Sequence, residues 1–256
     1  MCGIFGVVSS NKLPENRVKM SEIIINSMGR RGPDGSGIWF NDTSRVNFVH
    51  TRLSILDLTS AGQQPMSTND KRYTITYNGE IYNFIEVKKE LVRAGFRFNS
   101  DSDTEVILYA FSYWGQECVK KFEGMFSIAI WDNLEETLWL FRDRVGVKPL
   151  YYYESNNIFI FSSELKSIRL YLSNKPKLNY NSIGEFLQHG YISGCNSIYD
   201  SIFKLEPAHC LMYNKKGVKK INRYWSSLDY YDMGIYKKSE NELIEELEHL
   251  LFTSFK

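Results

Sequence analysis

The chain has 256 residues, of which 43% are hydrophobic, and its formal net charge is +1. This length accommodates one large domain or two small ones with a substantial core. The balanced charge gives no indication of binding to nucleic acid or to an anionic membrane. No run of 18 apolar residues occurs and the N-terminus lacks the pattern of a signal peptide, so we expect a cytoplasmic protein without a membrane span.

Cysteine and histidine do not form metal-binding patterns in this sequence. The four residues of each type are widely spaced, with no CxxC pair and no HExxH motif. In an unsecreted chain such cysteines are predicted to be free thiols, and we interpret the histidines as structural residues. We therefore expect no metal site. The residues concerned are Cys2, Cys118, Cys195, Cys210, His50, His189, His209 and His249.

The first element is a predicted buried strand at residues 3–8, which follows a cysteine at position 2. Removal of Met1 would leave Cys2 with a thiol and a free α-amine, whose pKa is about 7.7–8.0 in model compounds. A nucleophile and its base would then lie on one residue, as in N-terminal-nucleophile enzymes. With Met1 attached, that nitrogen is an amide, so we interpret such a chain as an unprocessed precursor. The alternative is that Cys2 is only a small residue that permits methionine removal.

The next elements surround a single arginine. An apolar stripe predicts a helix over 15–28, and a glycine-rich loop follows at 30–37. Two antiparallel strands are predicted at 36–40 and 46–50. Arg52 then lies in an apolar, strand-like stretch, which is an unusual place for a charge. Its side chain either extends to solvent or binds a carboxylate through two parallel hydrogen bonds.

Alternating apolar residues predict a strand over 72–77 that ends in Asn78-Gly79. This pair is typical of a hairpin turn. It could also form an oxyanion site, in which the Asn78 side-chain amide and the Gly79 N–H point at one position. The sequence does not return with strand periodicity, because a helix is predicted at 82–94. That pattern argues against the hairpin.

Acidic residues cluster at 101–105, directly before a predicted helix at 106–114. Such residues usually cap a helix or interact with its dipole, and one of them could instead bind a substrate ammonium. The other elements predicted in this region are a strand at 96–98, a helix at 116–122, a hairpin of strands 124–132 and 137–142, a strand after the charged turn that begins at 142, a strand at 158–162 and a short helix capped by Ser163.

The C-terminal part contains two capping-box patterns, Ser182-x-x-Glu185 and Ser239-x-x-Glu242, each of which predicts a helix start. Predicted strands at 210–213 and 221–225 lie between the two helices. A polar and aromatic stretch at 226–238 is interpreted as a linker. The second helix has an apolar face and is predicted to run almost to the end of the chain.

Seven short words resemble the glutaminase domain of the asparagine synthetase family, the class II glutamine amidotransferases. They occur in the family's order over roughly the first 165 residues. Any one word alone is weakly specific, but seven in order are strongly specific. The words are Met-Cys-Gly-Ile at 1–4, Arg-Gly-Pro-Asp at 31–34, Arg-Leu-Ser-Ile at 52–55, Asn-Gly-Glu-Ile-Tyr-Asn at 78–83, Ser-Asp-Thr-Glu at 102–105, Gly-Met-Phe at 124–126 and Arg-Asp-Arg-x-Gly-x-Lys-Pro-Leu-Tyr at 142–151.

The resemblance implies a fold and a domain organisation. The family fold is an α+β four-layer αββα sandwich of the N-terminal-nucleophile hydrolase type. Residues 1–225 would form the type-2 glutamine amidotransferase domain, 226–238 a linker, and 239–256 the first helix of a truncated ATP-dependent synthetase domain. The family's pyrophosphate-loop word, Ser-Gly-Gly-x-Asp-Ser, does not occur in this sequence. We therefore interpret the chain as a fragment of a longer synthetase.

The resemblance also implies a role for each matching residue. Cys2 would attack the side-chain amide of glutamine, while Asn78 and Gly79 would bind the oxyanion. Arg52 would bind the α-carboxylate and Asp103 the α-ammonium. The remaining substrate-binding residues would be Leu53, Ile55, Leu56 and Glu80.

The implied function is hydrolysis of glutamine through a Cys2 thioester, with ammonia passing to the synthetase domain that makes asparagine from aspartate. This chain would need no cofactor, whereas ATP and Mg²⁺ are expected for the synthetase domain. The implied partners are glutamine and that domain, and the resemblance leaves a homodimer open. Two alternatives remain: a non-catalytic glutamine-binding or scaffolding module, and the glutaminase domain of an enzyme with a different acceptor.

Overall fold

The computed structural model describes residues 1–55, 57, 59–155, 157–214, 217, 219–231 and 237–255. The chain divides into two compact units, Met1–Trp225 and Ser226–Lys256. No helix in these ranges is long and apolar enough to span a membrane.

The larger unit is built on two six-stranded antiparallel sheets. In chain order the described strands are β1 Gly3–Ser9, β2 Gly35–Phe40, β3 Val46–Arg52, β4 Met66–Ser67, β5 Tyr73–Ile81, β6 Gly124–Asp132, β7 Thr137–Arg142, β8 Tyr151–Ser155, β9 Ile158–Ser162, β10 Ile202–Lys204, β11 His209–Asn214 and β12 Lys219–Arg223. Sheet I has the strand order β10-β8-β9-β1-β3-β2, and sheet II has the order β12-β11-β7-β6-β5-β4. The N-terminal strand β1 therefore has a neighbour on each side.

The α-helices of this unit are α1 Arg17–Met28, α2 Phe84–Arg93, α3 Asp103–Trp114, α4 Leu165–Tyr171 and α5 Tyr180–His189. Two 3₁₀ turns, Ser60–Gly62 and Gly115–Lys121, accompany them. The predicted helix at 116–122 is thus a 3₁₀ turn, whose N–H groups bond three residues back and form a tighter coil.

An apolar layer separates the two sheets. It contains Phe48 and Phe161 from sheet I and Leu140 and Leu211 from sheet II, all buried at 0% exposure. Alternate residues of a strand point to opposite faces, so each sheet has a second apolar face to cover. That second face determines where the helices pack.

Helices cover the outer face of each sheet. Leu91 of α2 and Ile107 of α3 belong to the cluster on sheet II, whereas Ile24 of α1 and Ile168 of α4 belong to the cluster on sheet I. The layers therefore run helices, sheet I, sheet II, helices. This arrangement confirms the expected α+β four-layer αββα sandwich, since apolar faces of helices and sheets are stable only when they pack against another layer.

The smaller unit contains α6 Leu228–Tyr231 and α7 Glu240–Ser254. The predicted capping box of α7 is confirmed: Glu242 N donates to Ser239 Oγ at 3.4 Å, and Ser239 N donates to the Glu242 carboxylate at 2.8 Å. The apolar face of α7 is exposed along its length, at Leu243, Ile244, Leu247, Leu250 and Leu251.

The predicted capping box at Ser182 is wrong. Helix α5 begins three residues earlier than that box predicts, and its N-cap is Asn179, whose side-chain oxygen accepts from Ser182 N at 3.0 Å. Asparagine is as good an N-cap as serine, and it takes the role here because it is the residue with extended backbone geometry. The Glu185 carboxylate instead accepts a hydrogen bond from Ser193 N at 2.7 Å.

Two other local predictions fail for tertiary reasons. Ser163 does not cap α4, whose N-cap is Glu164. The Ser163 hydroxyl instead accepts a hydrogen bond from Ile4 N of β1 at 3.2 Å. Residues 96–98 are a loop and not a strand, because Phe96 and Phe98 pack their rings against Tyr109 of α3, with centroids 5.4 Å away in each pair.

Candidate active site

The end of β1 fixes the backbone of Cys2. The Ile4 carbonyl accepts from Ser163 N at 2.9 Å and from the Ser162 hydroxyl at 3.1 Å, which ties β1 to the end of β9. On the opposite side, Arg31 Nε donates to the Cys2 carbonyl at 2.9 Å. The first residues are therefore held within the fold, although they form a chain terminus, where fraying is the usual behaviour.

The Cys2 thiol lies against the backbone of Leu53. Leu53 N lies 3.4 Å from Cys2 Sγ, and Sγ lies 3.7 Å from the Leu53 carbonyl oxygen. Burial is the largest influence and raises the pKa of the thiol, whereas the Leu53 N–H, the N-terminal amine and Arg52 act to lower it. A buried thiol of this kind needs a base or nearby positive charge to become nucleophilic.

Asn78 and Gly79 lie inside β5 and not in a hairpin turn. They pair with Ser127 and Phe126 of β6. The Asn78 side chain is 1% exposed, and its Nδ2 has no hydrogen-bond partner among the described residues. An unpaired buried donor typically costs about 1–3 kcal/mol, so its presence points to a ligand that accepts the bond.

Gly79 is required by the close approach of β6. A Cβ at this position would lie 2.2 Å from the Met125 carbonyl oxygen and 2.7 Å from the Phe126 Cα. No side chain fits there without separating the two strands. The absence of a side chain at Gly79 thus lets β5 and β6 pair closely where the Gly79 backbone lines the pocket.

Asp103 is the first residue of α3, three residues before the predicted helix start. Ser102 is the N-cap, with its hydroxyl accepting from Thr104 N at 3.2 Å. The Asp103 carboxylate accepts from the Tyr77 hydroxyl at 2.8 Å and from Ile81 N at 3.1 Å. Burial raises its pKa, while these two hydrogen bonds act in the opposite direction. Asp103 is thus a buried carboxylate with fixed geometry.

Arg52 is the last residue of β3, and a loop holds its guanidinium. Nη1 donates to the Thr59 carbonyl at 2.9 Å, and Nη2 donates to the carbonyl of Asp57. The 3₁₀ turn packs tightly against it, since a Cβ on Gly62 would lie 2.6 Å from Nη2. The side chain therefore does not extend freely into solvent. An oriented guanidinium of this kind suits recognition of a carboxylate.

These residues line one pocket with an empty volume of about 600 Å³. The predicted residues on its walls are Cys2, Arg52, Leu53, Ile55, Asn78, Gly79, Glu80 and Asp103. Leu53 and Glu80 are half-buried, and Ile55 is 65% exposed. Leu56, the other predicted substrate-binding residue, lies outside the described residues.

Gln64 and Tyr77 also line the pocket, and the sequence analysis did not single them out. Gln64 Oε1 accepts from Tyr77 N at 2.6 Å, and its Nε2 donates to the Thr104 hydroxyl at 3.1 Å. Gln64 therefore links the loop after Arg52 to β5 and α3. No local pattern marks it, because its partners are distant in sequence.

Lys148 is another pocket residue that the sequence analysis did not assign. It lies in the loop between β7 and β8 and is 5% exposed. The sequence did contain a signal for it. The charged word at 142–151 places this lysine directly before a proline and a strand, and a lysine is seldom buried unless its charge has a partner.

The described residues contain no group of three or more histidine, cysteine, aspartate or glutamate side chains placed to hold a metal ion. His50 is structural: its Nε2 lies 3.2 Å from the Tyr77 carbonyl, and burial lowers its pKa to about 4. All four cysteines are free thiols, as predicted.

The glutamine amidotransferase domain family matches residues 1–225. Asparagine synthetase [glutamine-hydrolyzing] 3 of Bacillus subtilis is 36% identical over 229 residues, which cover 88% of this chain and 37% of that protein. Putative asparagine synthetase [glutamine-hydrolyzing] 2 of Methanocaldococcus jannaschii is 37% identical over 100% of this chain and 52% of that protein. The chain thus spans about half the length of these relatives or less.

The solved structures support the fold. The glutamine phosphoribosylpyrophosphate amidotransferase of B. subtilis, complexed with ADP and GMP, superimposes with a TM-score of 0.62 over 88% of this chain and 50% of that chain. A structure described as the allosteric regulatory enzyme of purine biosynthesis gives a TM-score of 0.64 over the same shares. Sequence identity is 18% in both cases. At that identity the likeness concerns the fold alone.

Proposed function

The chain belongs to the glutamine amidotransferase domain family, and from that membership we propose that its pocket hydrolyses glutamine to glutamate and ammonia through Cys2. The observation that carries the proposal is the meeting, in one pocket, of the Cys2 thiol, the unpartnered Asn78 amide, the Arg52 guanidinium and the Asp103 carboxylate. A nucleophile, an oxyanion donor and two opposite charges are what hydrolysis of an amino-acid side-chain amide requires.

Substrate binding uses the two opposite charges. Free glutamine carries an α-carboxylate and an α-ammonium on the same carbon. In this proposal Arg52 binds the carboxylate and Asp103 binds the ammonium, so the side-chain amide points away from both towards Cys2. A simple amide lacks these charges and would leave both protein groups unpaired, which disfavours its binding.

The chemistry begins after Met1 has been removed. The Cys2 sulfur forms a bond to the side-chain amide carbon, and the thiol proton passes to the Cys2 α-amine. The carbonyl oxygen becomes an oxyanion, to which Asn78 Nδ2 and Gly79 N–H donate hydrogen bonds. The carbon–nitrogen bond then breaks, and the nitrogen leaves as ammonia after taking a proton from the Cys2 α-ammonium. Water attacks the resulting thioester, which releases glutamate and restores the thiol.

We extend the proposal to the longer protein that the relatives suggest. Ammonia would pass to an ATP-dependent synthetase domain that uses ATP and Mg²⁺ to make asparagine from aspartate, in the cytoplasm. The names of the relatives and the share of their length that this chain covers support the synthetase domain. The four free thiols are consistent with a reducing compartment. A different acceptor is the alternative, since the residues that choose it would lie in that domain.

Ammonia release from glutamine tests the proposal. The chain lacking Met1 is expected to release ammonia, and Cys2→Ala is expected to abolish that release. Cys195→Ala is the matched control, because Cys195 is an exposed thiol that does not line the pocket. Equal rates for Cys2→Ala and the unmodified chain would favour the non-catalytic glutamine-binding module. Intact-mass measurement of the active material completes the test, since full activity with Met1 retained would contradict the role of the α-amine.

A further inference from the structure

Lys148 is a buried cation in the pocket that the proposed thioester chemistry leaves unused. It is 5% exposed, and among the described residues the hydrogen-bond partner of its Nζ is Met1 Sδ at 3.4 Å. A thioether sulfur is a weak acceptor. It therefore compensates little of the free energy that burial of an ammonium costs. Removal of Met1 would take even this partner away.

The backbone around Lys148 is built to hold it in place. The Asp143 carboxylate, at 0% exposure, accepts from Val147 N and from Lys148 N, each at 2.9 Å. Arg142 Nε donates to the Lys148 carbonyl at 3.0 Å. Both backbone groups of Lys148 are thus fixed by side chains, one from Asp143 in the same loop and one from Arg142 at the end of β7. The two residues that begin the charged word at 142–151 place its lysine in the pocket.

Two cations contact the first two residues, Arg31 at Cys2 and Lys148 at Met1. Arg31 binds the Cys2 carbonyl, and its charge is partly balanced by Glu164, with the nearest nitrogen and oxygen 3.7 Å apart. Burial lowers the pKa of Lys148, and the charge of Arg31 lowers it further. The charged side chains that act on Cys2 or Lys148 from the surrounding elements are Arg31, Arg52, Glu80, Asp103 and Asp143, and Glu164 pairs with Arg31.

On the basis of the proposed function, we propose that the ammonium of Lys148 acts through Cys2, favouring its thiolate and keeping its α-amine unprotonated. A nearby positive charge stabilises an anion and repels a second ammonium, so it moves both equilibria in the direction that catalysis needs. Burial alone disfavours the thiolate. Lys148 offsets this effect, and its Nζ contacts the side chain of Met1, the residue whose removal frees the Cys2 amine.

Alkylation of Cys2 tests this inference without requiring glutamine. The chain lacking Met1 is treated with iodoacetamide from about pH 6 to about pH 10, and the Cys2 peptide is followed by mass spectrometry, because the thiolate is the reacting species. Lys148→Met is expected to raise the midpoint of the pH profile by about 0.5–1 unit. Lys148→Arg keeps the charge and should leave the midpoint near that of the unmodified chain. Exposed Cys195 gives an internal reference in every sample.

The control variant is Lys12→Met, which removes one positive charge at an exposed position that does not line the pocket. An unchanged midpoint in folded Lys148→Met, or equal shifts in Lys148→Met and Lys148→Arg, would overturn the inference. If Lys148→Met does not fold, as judged by circular dichroism, Lys148→Gln supplies a neutral polar replacement for the same comparison. Ammonia release is measured separately: its absence in the unmodified chain overturns the proposed glutaminase, whereas the alkylation midpoint still decides the effect of the Lys148 charge.

Discussion

The two walls of the pocket are constructed differently. Asn78 and Gly79 lie inside β5, where pairing with β6 fixes their backbone. Arg52 is the last residue of β3, and its guanidinium is held by the carbonyls of Asp57 and Thr59 in an irregular loop. Sheet pairing thus determines the geometry of one wall, and the path of a loop determines the geometry of the other.

This difference corresponds to two different requirements. Charge that develops only in the transition state is best stabilised by donors that need no rearrangement, which a central strand provides. The carboxylate of a bound amino acid carries its charge before and after the reaction, so its binding affects the ground state and the transition state alike. We therefore expect the strand wall, formed by Asn78 and Gly79, to control kcat, and the loop wall, formed by Arg52, to control KM.

The largest expected effect is on the strand wall. Asn78→Ala removes the donor that we propose for the oxyanion and should lower kcat by about 10²–10³-fold with little change in KM. Steady-state ammonia release measures both constants. Asn222→Ala, an exposed asparagine on β12 of the same sheet, should match the unmodified chain. A rise in KM at unchanged kcat for Asn78→Ala would contradict the division between the walls.

A smaller effect is expected on the loop wall. Arg52→Lys keeps the positive charge but loses the planar guanidinium, so it should raise KM for glutamine by about 10–100-fold and leave kcat nearly unchanged. Arg45→Lys is the control, since Arg45 is exposed and does not line the pocket. If Arg52→Lys lowers kcat as strongly as Asn78→Ala does, the assignment of kcat to the strand wall and KM to the loop wall is wrong.

The third expected effect concerns folding stability and not a kinetic constant, and it depends on a contact between His50 and the strand wall. His50 Nε2 lies 3.2 Å from the carbonyl of Tyr77, the residue before Asn78, and burial lowers the His50 pKa from 6.5 to about 4. The unfolded chain therefore takes up a proton as the pH falls below 6.5, whereas the folded chain does not until about pH 4. Folding stability is lost across this interval, by about 3 kcal/mol in total.

Urea unfolding at several pH values between neutrality and pH 4 measures this loss. His50→Gln removes the titrating group while keeping an amide donor, so its stability should fall less over the interval than that of the unmodified chain. His189→Gln alters an exposed histidine and should retain the original pH dependence. Identical pH dependence in all three proteins would show that His50 is not the group responsible.

Local sequence signals predicted most of the elements that form the walls. Period-two alternation located β5, and helix periodicity located α2 and α3. The hairpin reading of Asn78-Gly79 was already weakened by the helix pattern that follows it, and the structure places both residues within a strand. The resemblance to a known family, and not the periodicity, brought the pocket residues together as one set.

What the sequence could not predict depends on contacts between distant segments. Ser163 looks like a helix cap locally, yet its hydroxyl bonds to Ile4, 159 residues away. Gln64 joins β5 and α3 through side-chain hydrogen bonds that no local pattern encodes. The opposite case is Ser239, whose cap is purely local and was predicted correctly. Local propensities fix caps and periods, whereas tertiary packing decides which of several polar partners a side chain selects.

The central position of β1 has a consequence for biosynthesis. This strand lies far along the chain from β9, one of its two neighbours, which ends at Ser162. At translation rates of roughly 5–20 residues per second, synthesis of the chain from β1 to the end of β9 takes on the order of 10–30 s. β1 thus lacks its β9 partner during that interval. Removal of Met1 before β9 is made would let Cys2 enter the fold with its α-amine already free.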